Sequence, residues 1–113
     1  MLQILHNPRC GKSRQCLAMI ENSGKPFKII NYLKEPLTRD EIIIILKKLN
    51  CEPIELIRKK ETIWIEKYHN KTLSADEIIN AMVEYPILIE RPIVINKDKA
   101  FIARDLDVLS EII

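Results

Sequence analysis

Between Met1 and Tyr32 an apolar segment, a helical segment and a second apolar segment follow one another with clear breaks, and this order restricts the fold more than any other feature. Met1-Leu2-Gln3-Ile4-Leu5 reads as a strand, and Pro8 ends it. Helical spacing runs from about Lys12 to Ser23, with Ser13, Cys16, Leu17 and Ile20 on one face, and Gly24 followed by Pro26 is a stop signal. Phe27-Lys28-Ile29-Ile30-Asn31-Tyr32 alternates as a second strand. A strand, helix, strand unit of this length requires a right-handed crossover, so the two strands are expected to pair in parallel. The junction from His6 to Arg14 then lies at the carboxyl end of the first strand, the side on which α/β folds hold their ligands.

That junction carries chemistry. Cys10 stands where the helix begins, and the first N–H groups of a helix have no intrahelical partner and carry roughly half a positive charge. A thiolate or an anion is stabilised there, and a thiol pKa near ~8.5 can fall to neutrality or below. Gly11, one of two glycines in the chain, lets the backbone after Cys10 bend tightly or approach a ligand. Lys12 and Arg14 place cations in the first turn, where they are unfavourable by about 0.3–1 kcal/mol each unless an anion is bound. Spacing narrows the options. A protein-tyrosine-phosphatase loop needs arginine six positions after its nucleophile, where this chain has Cys16, and a Cys-x-x-Cys redox motif needs a second cysteine where it has Ser13. Cys10 therefore reads as a monothiol centre whose resolving thiol comes from elsewhere.

Length bounds the rest. The 113 residues are expected to form one domain, and the apolar and charged fractions, 47% and 30%, are those of a globular protein rather than a disordered or membrane-embedded one. A net charge of +2 is too small to imply a nucleic-acid partner. No apolar run, the nearest candidate being Ile42 to Leu46, approaches the ~18 residues of a membrane span, so no membrane partner is expected. Met1 to Leu5 lacks the basic start and length of a signal peptide. Together with an odd cysteine count (Cys10, Cys16 and Cys51), this points to the cytoplasm. No two of His6, Cys10, Cys16 and Cys51 have zinc-finger spacing, so no metal is expected.

The remainder completes a layered pattern. Thr38-Arg39-Asp40-Glu41 and Ser74-Ala75-Asp76-Glu77 are capping boxes that open helices. The first helix carries Ile42, Ile45, Leu46 and Leu49, and Ile43 and Ile44 widen that face enough to predict burial on more than one side, with Asn50 as terminator. The second carries Ile78, Ile79, Met82 and Val83 and stops at Pro86. Pro53 to His69 reads as weaker helix, with Trp64 and Tyr68 as satellite core. These three segments form a helical insertion over about residues 38–85. Ile93-Val94-Ile95 and Ala100-Phe101-Ile102-Ala103 flank the polar turn Asn96-Lys97-Asp98-Lys99 as a hairpin. Asp105 is placed to cap a last helix bearing Leu106, Leu109 and Ile113. The expected fold class is α/β, a mixed sheet in the order βαβ … ββα with the insertion between its halves.

His6-x3-Cys10-x3-Arg14 with Asn7-Pro8 and Ser13 inside it, Arg91-Pro92-Ile93-Val94, Tyr32-Leu33-x-x-Pro36-x-Thr38-Arg39, and Leu56-Ile57-Arg58-Lys59 together resemble the glutaredoxin-dependent arsenate reductases of the ArsC type. The likeness covers essentially the whole chain, which ends at Ile113 without the tail of longer members and so falls nearest the short chromosomal branch. It implies a thioredoxin-like fold and a cis peptide bond at Pro92, facing the cysteine. It also implies that Cys10 attacks arsenate, that Arg58, Arg91 and Arg104 bind the oxyanion, and that His6, Ser13 and Arg14 shape the thiolate loop. Glutathione then adds to the arsenic adduct as co-substrate, glutaredoxin accepts the mixed disulfide, and arsenite leaves; no cofactor stays bound.

The composition fits this assignment. Lysine outnumbers arginine twelve to six, yet four of the six arginines, Arg14, Arg58, Arg91 and Arg104, stand at the loop and oxyanion positions the resemblance implies, where a forked donor matters. One departure is that Asp105 follows Arg104 in place of the family's proline, and its carboxylate either pairs with the arginine or caps the helix. Two other functions fit parts of the pattern. One is a glutathione-dependent thiol oxidoreductase with another substrate. The other is an Spx-like redox regulator that binds RNA polymerase, although Ser13 removes the Cys-x-x-Cys switch such a regulator uses.

Overall fold

The computed structural model describes residues 1–103 with Asp107, Leu109, Ser110 and Ile113. Two compact units emerge, one formed by Met1–Glu35 with Arg91–Ile113 and the other by Pro36–Glu90. The first unit contains a four-stranded sheet: β1 (Leu2–Leu5), β2 (Phe27–Ile30), β3 (Ile93–Asn96) and β4 (Lys99–Ile102), in the order β2-β1-β3-β4. β1 and β2 are parallel, joined by helix α1 (Gly11–Asn22), as the crossover rule requires. β3 runs antiparallel to β1 with Leu5 opposite Ile93, and β4 returns antiparallel beside β3. Helix α1 ends through Ser23, and Gly24 takes the left-handed conformation at φ 73° that a side chain would resist.

Alternation sorts the strand residues onto a core. Leu2 and Ile4 of β1, Val94 of β3, Cys16 and Ile20 of α1, Ala103 and Leu109 form one buried cluster, with Leu17, Met19, Phe27 and Ile113 packed at its margin. Cys16 is a packing residue there. The hairpin is tighter than its polar run suggests: Asn96 pairs with Lys99, leaving Lys97 and Asp98 as a two-residue turn, with Lys97 at φ 58°. Arg104, Asp105 and Leu106 lie outside the described residues, so of the closing helix only Leu109 and Ile113 are placed among its three apolar positions.

The second unit contains α2 (Arg39–Leu49), α3 (Thr62–Lys67) and α4 (Ala75–Glu84). Both capping boxes form as read: Glu41 N–H donates to Thr38 Oγ1 at 3.2 Å while Thr38 N–H donates to Glu41 Oε1 at 2.9 Å, and Ser74 and Glu77 repeat the pattern. α2 packs on α4 and is tied to it by Arg39, which donates to Asn80 Oδ1 at 2.6 Å and pairs with the Asp76 carboxylate. Asn50 ends α2 in the left-handed conformation at φ 55°. Thr38→Ala should lower stability by about 1 kcal/mol through loss of this cap. Urea unfolding at fixed slope measures it, and an unchanged midpoint would show the box to be idle.

Two expectations for this unit change. Ile44 is 51% exposed, because a helix lying on one partner buries a single stripe, here Ile42, Ile45 and Leu46. Pro53 to His69 is not one helix. Pro53–Leu56 is a 3-10 turn, Ile57 forms an antiparallel bridge with Ile89, and α3 begins only at Thr62. The backbone leaves the helix because other partners take its polar groups: Arg58 N–H donates to Leu88 O at 2.7 Å and Glu90 N–H to Leu56 O at 2.8 Å. Trp64 is buried and stacks on Tyr68 with ring centroids 5.3 Å apart. No helix among the described residues is long and apolar enough to cross a membrane.

Candidate functional site

The junction after β1 is a hydrogen-bonded loop whose polar groups are mostly buried. His6, Asn7 and Ser13 are 7%, 3% and 0% exposed, which obliges each to find partners. Asn7 organises the turn: its N–H donates to Ser13 Oγ at 3.0 Å, its Oδ1 accepts from Arg9 N–H at 3.0 Å, and its carbonyl accepts from Cys10 N–H at 3.0 Å. Ser13 Oγ is also hydrogen-bonded to His6 Nδ1 at 2.7 Å, so the one buried hydroxyl ties the imidazole to the Asn7 backbone. Burial holds the His6 pKa below its ordinary value, the Arg14 charge adds to this, and a hydrogen bond with the Ser13 backbone opposes it. His6 is thus a prop for the loop rather than a carried charge.

Arg14 closes the loop from outside by donating to Pro8 O at 2.8 Å. Its guanidinium also lies over Gly11, where an added Cβ would meet Arg14 Nη2 at 3.7 Å, ordinary contact with open room. Gly11 is helical and not left-handed, so the tight bend expected after Cys10 is not what places a glycine here. α1 has no acidic residue in its first turn, which leaves its terminal field uncompensated by side chains.

Cys10 is the N-cap of α1, with φ −92° and ψ 122°. Partial burial alone would push its thiol up. The Ser13 N–H, a hydrogen bond from Arg91, the Lys12 N–H and the Arg91 charge outweigh that, and the thiol is held below its ordinary value. Arg91 reaches Cys10 because of the sheet register. Leu5 sits opposite Ile93, so the end of β1 lies beside the start of β3, where the Arg91-Pro92 peptide bond is cis. Ala103 N–H donates to Pro92 O at 2.8 Å, which brings the end of β4 to the same place. Arg104 is next in the chain and lies outside the described residues, as does the Asp105 alternative.

The other thiols behave oppositely. Burial pushes Cys16 up to about 11, and burial with the nearby Glu55 and Glu52 raises Cys51. Alkylation followed against pH should therefore show Cys10 reacting with a midpoint below the ordinary thiol range while Cys16 and Cys51 stay protonated at neutral pH. The sign carries over to stability: the contribution of the depressed Cys10 is complete above the unfolded thiol pKa and is lost as pH falls through the folded one. A Cys10 midpoint at or above that of a free thiol would count against the site.

The first unit thus brings together Cys10, His6, Gly11, Ser13, Arg14, Arg91 and Pro92 from the residues singled out in the sequence. Arg58 belongs to the second unit, where its Nε donates to Glu61 Oε1 at 3.1 Å. Asn7, named in the sequence only inside a motif, is the residue that organises this loop. Its signal was Asn-Pro, a turn-forming pair whose first side chain bonds the backbone two residues on. The backbone N–H of Lys12 carries no residue-type signal.

A family model described as the ArsC family matches residues 5–112. The arsenate reductase of Haemophilus influenzae is 40% identical over 112 residues, which span 97% of this chain and 97% of that protein. The arsenate reductase of Escherichia coli K12 is 38% identical over 117 residues, covering 99% of this chain and 80% of that protein. Among solved structures, the arsenate reductase from Vibrio cholerae superposes with a TM-score of 0.92 at 36% identity, covering 99% of this chain and 97% of that one.

Proposed function

The chain belongs to the ArsC family, and on that premise we propose that it is an arsenate reductase in which the Cys10 thiolate attacks arsenate and external thiols reduce the adduct to arsenite. The observation that carries this reading is the contrast among the three thiols: Cys10 alone is held below its ordinary pKa, with Arg91 beside it. Arsenate near neutral pH is a tetrahedral dianion, and a guanidinium binds such an oxyanion through two parallel hydrogen bonds.

In the first step Cys10 Sγ bonds to arsenic, and one arsenate oxygen leaves as water after taking protons from solvent. Arsenic stays As(V). Arg91, with Arg58 and Arg104 carried over from the resemblance, binds the remaining oxygens and stabilises the charge that develops on them. The loop of His6, Asn7, Ser13 and Arg14 keeps the thiolate and the Lys12 and Ser13 N–H groups in register. Glutathione then displaces a second oxygen from arsenic. A glutaredoxin thiolate attacks the glutathione sulfur, the S–As electron pair stays on arsenic, and As(V) becomes As(III). The two electrons come from two thiols, which leave as one glutathione–glutaredoxin disulfide. Hydrolysis of the remaining S–As bond releases arsenite and restores Cys10.

External reduction agrees with Ser13 standing where a local resolving cysteine would be and with the buried, protonated Cys16. It needs glutathione as co-substrate and no bound cofactor, and it assigns the protein to the cytoplasm, where thiols are kept reduced. The test is arsenite formation with purified protein, arsenate, glutathione and glutaredoxin. Turnover should require all four, and a rate equal to that without protein would sink the reading.

A further inference from the structure

Arg58 sits where the second unit passes from extended to helical backbone, with its own N–H bonded to Leu88 O and the preceding residue bridged to Ile89. Of the basic run Arg58-Lys59-Lys60, the two lysines are exposed, whereas the Arg58 side chain is only 28% exposed. Its guanidinium is held by Glu61, whose carboxylate accepts from Nε at 3.1 Å and whose side chain is 25% exposed. Glu61 is the N-cap of α3 and makes no side-chain cap bond to that helix, as its length leads one to expect. The backbone turn reinforces the pair, since Glu61 N–H donates to Arg58 O at 3.1 Å. Both ends of the short segment from Arg58 to Glu61 are thereby fixed to each other.

We propose that Glu61 is a positioning residue for Arg58. It grips Nε, so the two terminal nitrogens, which this pair does not consume, are presented as a fork for two oxygens of a tetrahedral oxyanion. The inference rests on the reading of Arg58 as an oxyanion ligand. An arginine free in solvent gives up rotamer freedom when it binds an anion, whereas one already held has given it up on folding. The effect belongs to substrate affinity rather than to the chemical step.

Two substitutions separate orientation from charge. Glu61→Gln keeps an oxygen that accepts from Nε but removes the negative charge, and Glu61→Ala removes both. Glu61→Ala should raise KM for arsenate about three- to tenfold with kcat changed by less than about twofold. Glu61→Gln should restore most of the wild-type KM. Wild-type KM in both variants overturns the proposal. So does a lowered KM in both, which would mean that the carboxylate only offsets the Arg58 charge. A joint fall in kcat and melting temperature that Glu61→Gln does not rescue also overturns it, as a purely structural effect. Arg58→Ala run alongside keeps the two readings distinct: unchanged KM there removes the oxyanion role of Arg58, whereas raised KM there with none in Glu61→Ala removes only the role of Glu61.

Discussion

Cys10→Ser should bring arsenite formation down to the rate without protein, a loss on the order of 10³-fold or more. The size follows from what sulfur supplies. Only the thiolate is a competent nucleophile, and the Ser13 and Lys12 N–H groups with Arg91 shift the Cys10 equilibrium toward it. A serine hydroxyl in the same cradle stays protonated near neutrality and gives arsenic no sulfur bond for glutathione and glutaredoxin to work on. Cys51→Ser is the matched control. Its thiol is raised by burial and by Glu55 and Glu52, takes no part in the proposed steps, and should leave the rate within about twofold of wild type. Mass analysis of protein quenched with arsenate and glutathione gives a second readout, with any adduct on Cys10 alone. Retained turnover in Cys10→Ser, or an adduct on Cys51, would require a different nucleophile.

What could be read in advance divides along the range of the interactions involved. Capping boxes, the Gly24-Pro26 stop and the parallel β1–β2 pair are set by residues within a few positions of one another or by a near-universal crossover rule, and all were legible. So was the apolar stripe of α1. The exposure of Ile44 was not, because burial on a second side depends on what lies there and not on how apolar the helix is. The break at Ile57 depends on Leu88 and Ile89, some thirty positions away, whose backbone groups compete with the helical ones.

The candidate site divides in the same way. Cys10, Gly11 and the helix-terminus field follow from adjacent residues. Arg14 was legible as a loop residue but not as a donor to Pro8 O, and His6 not as the hydrogen-bond partner of the same serine hydroxyl that accepts from Asn7 N–H. The meeting of Arg91 with Cys10 is non-local. It follows from the antiparallel register that sets Leu5 against Ile93, and a slip of one residue would turn the side chains of β3 to the opposite faces.

Arg91→Ala should lower kcat/KM for arsenate by roughly 10²–10³-fold, the range found when one charge-stabilising donor is removed from an active site. Two effects are combined in that loss, and pH separates them. Without Arg91 the Cys10 thiol loses both a hydrogen bond and a neighbouring positive charge, so its pKa rises and the thiolate fraction at neutral pH falls. Raising the pH through the new pKa restores that part. It does not restore the forked contact to the oxyanion, so a residual deficit should persist at alkaline pH. Arg91→Lys keeps a charge but not the fork, and should recover the thiolate pKa more fully than it recovers kcat/KM. The profile of log kcat/KM against pH for the three proteins measures both parts. A deficit in Arg91→Ala that vanishes entirely at high pH would reduce Arg91 to a tuner of the thiolate, and one that does not vary with pH would make it an oxyanion ligand alone.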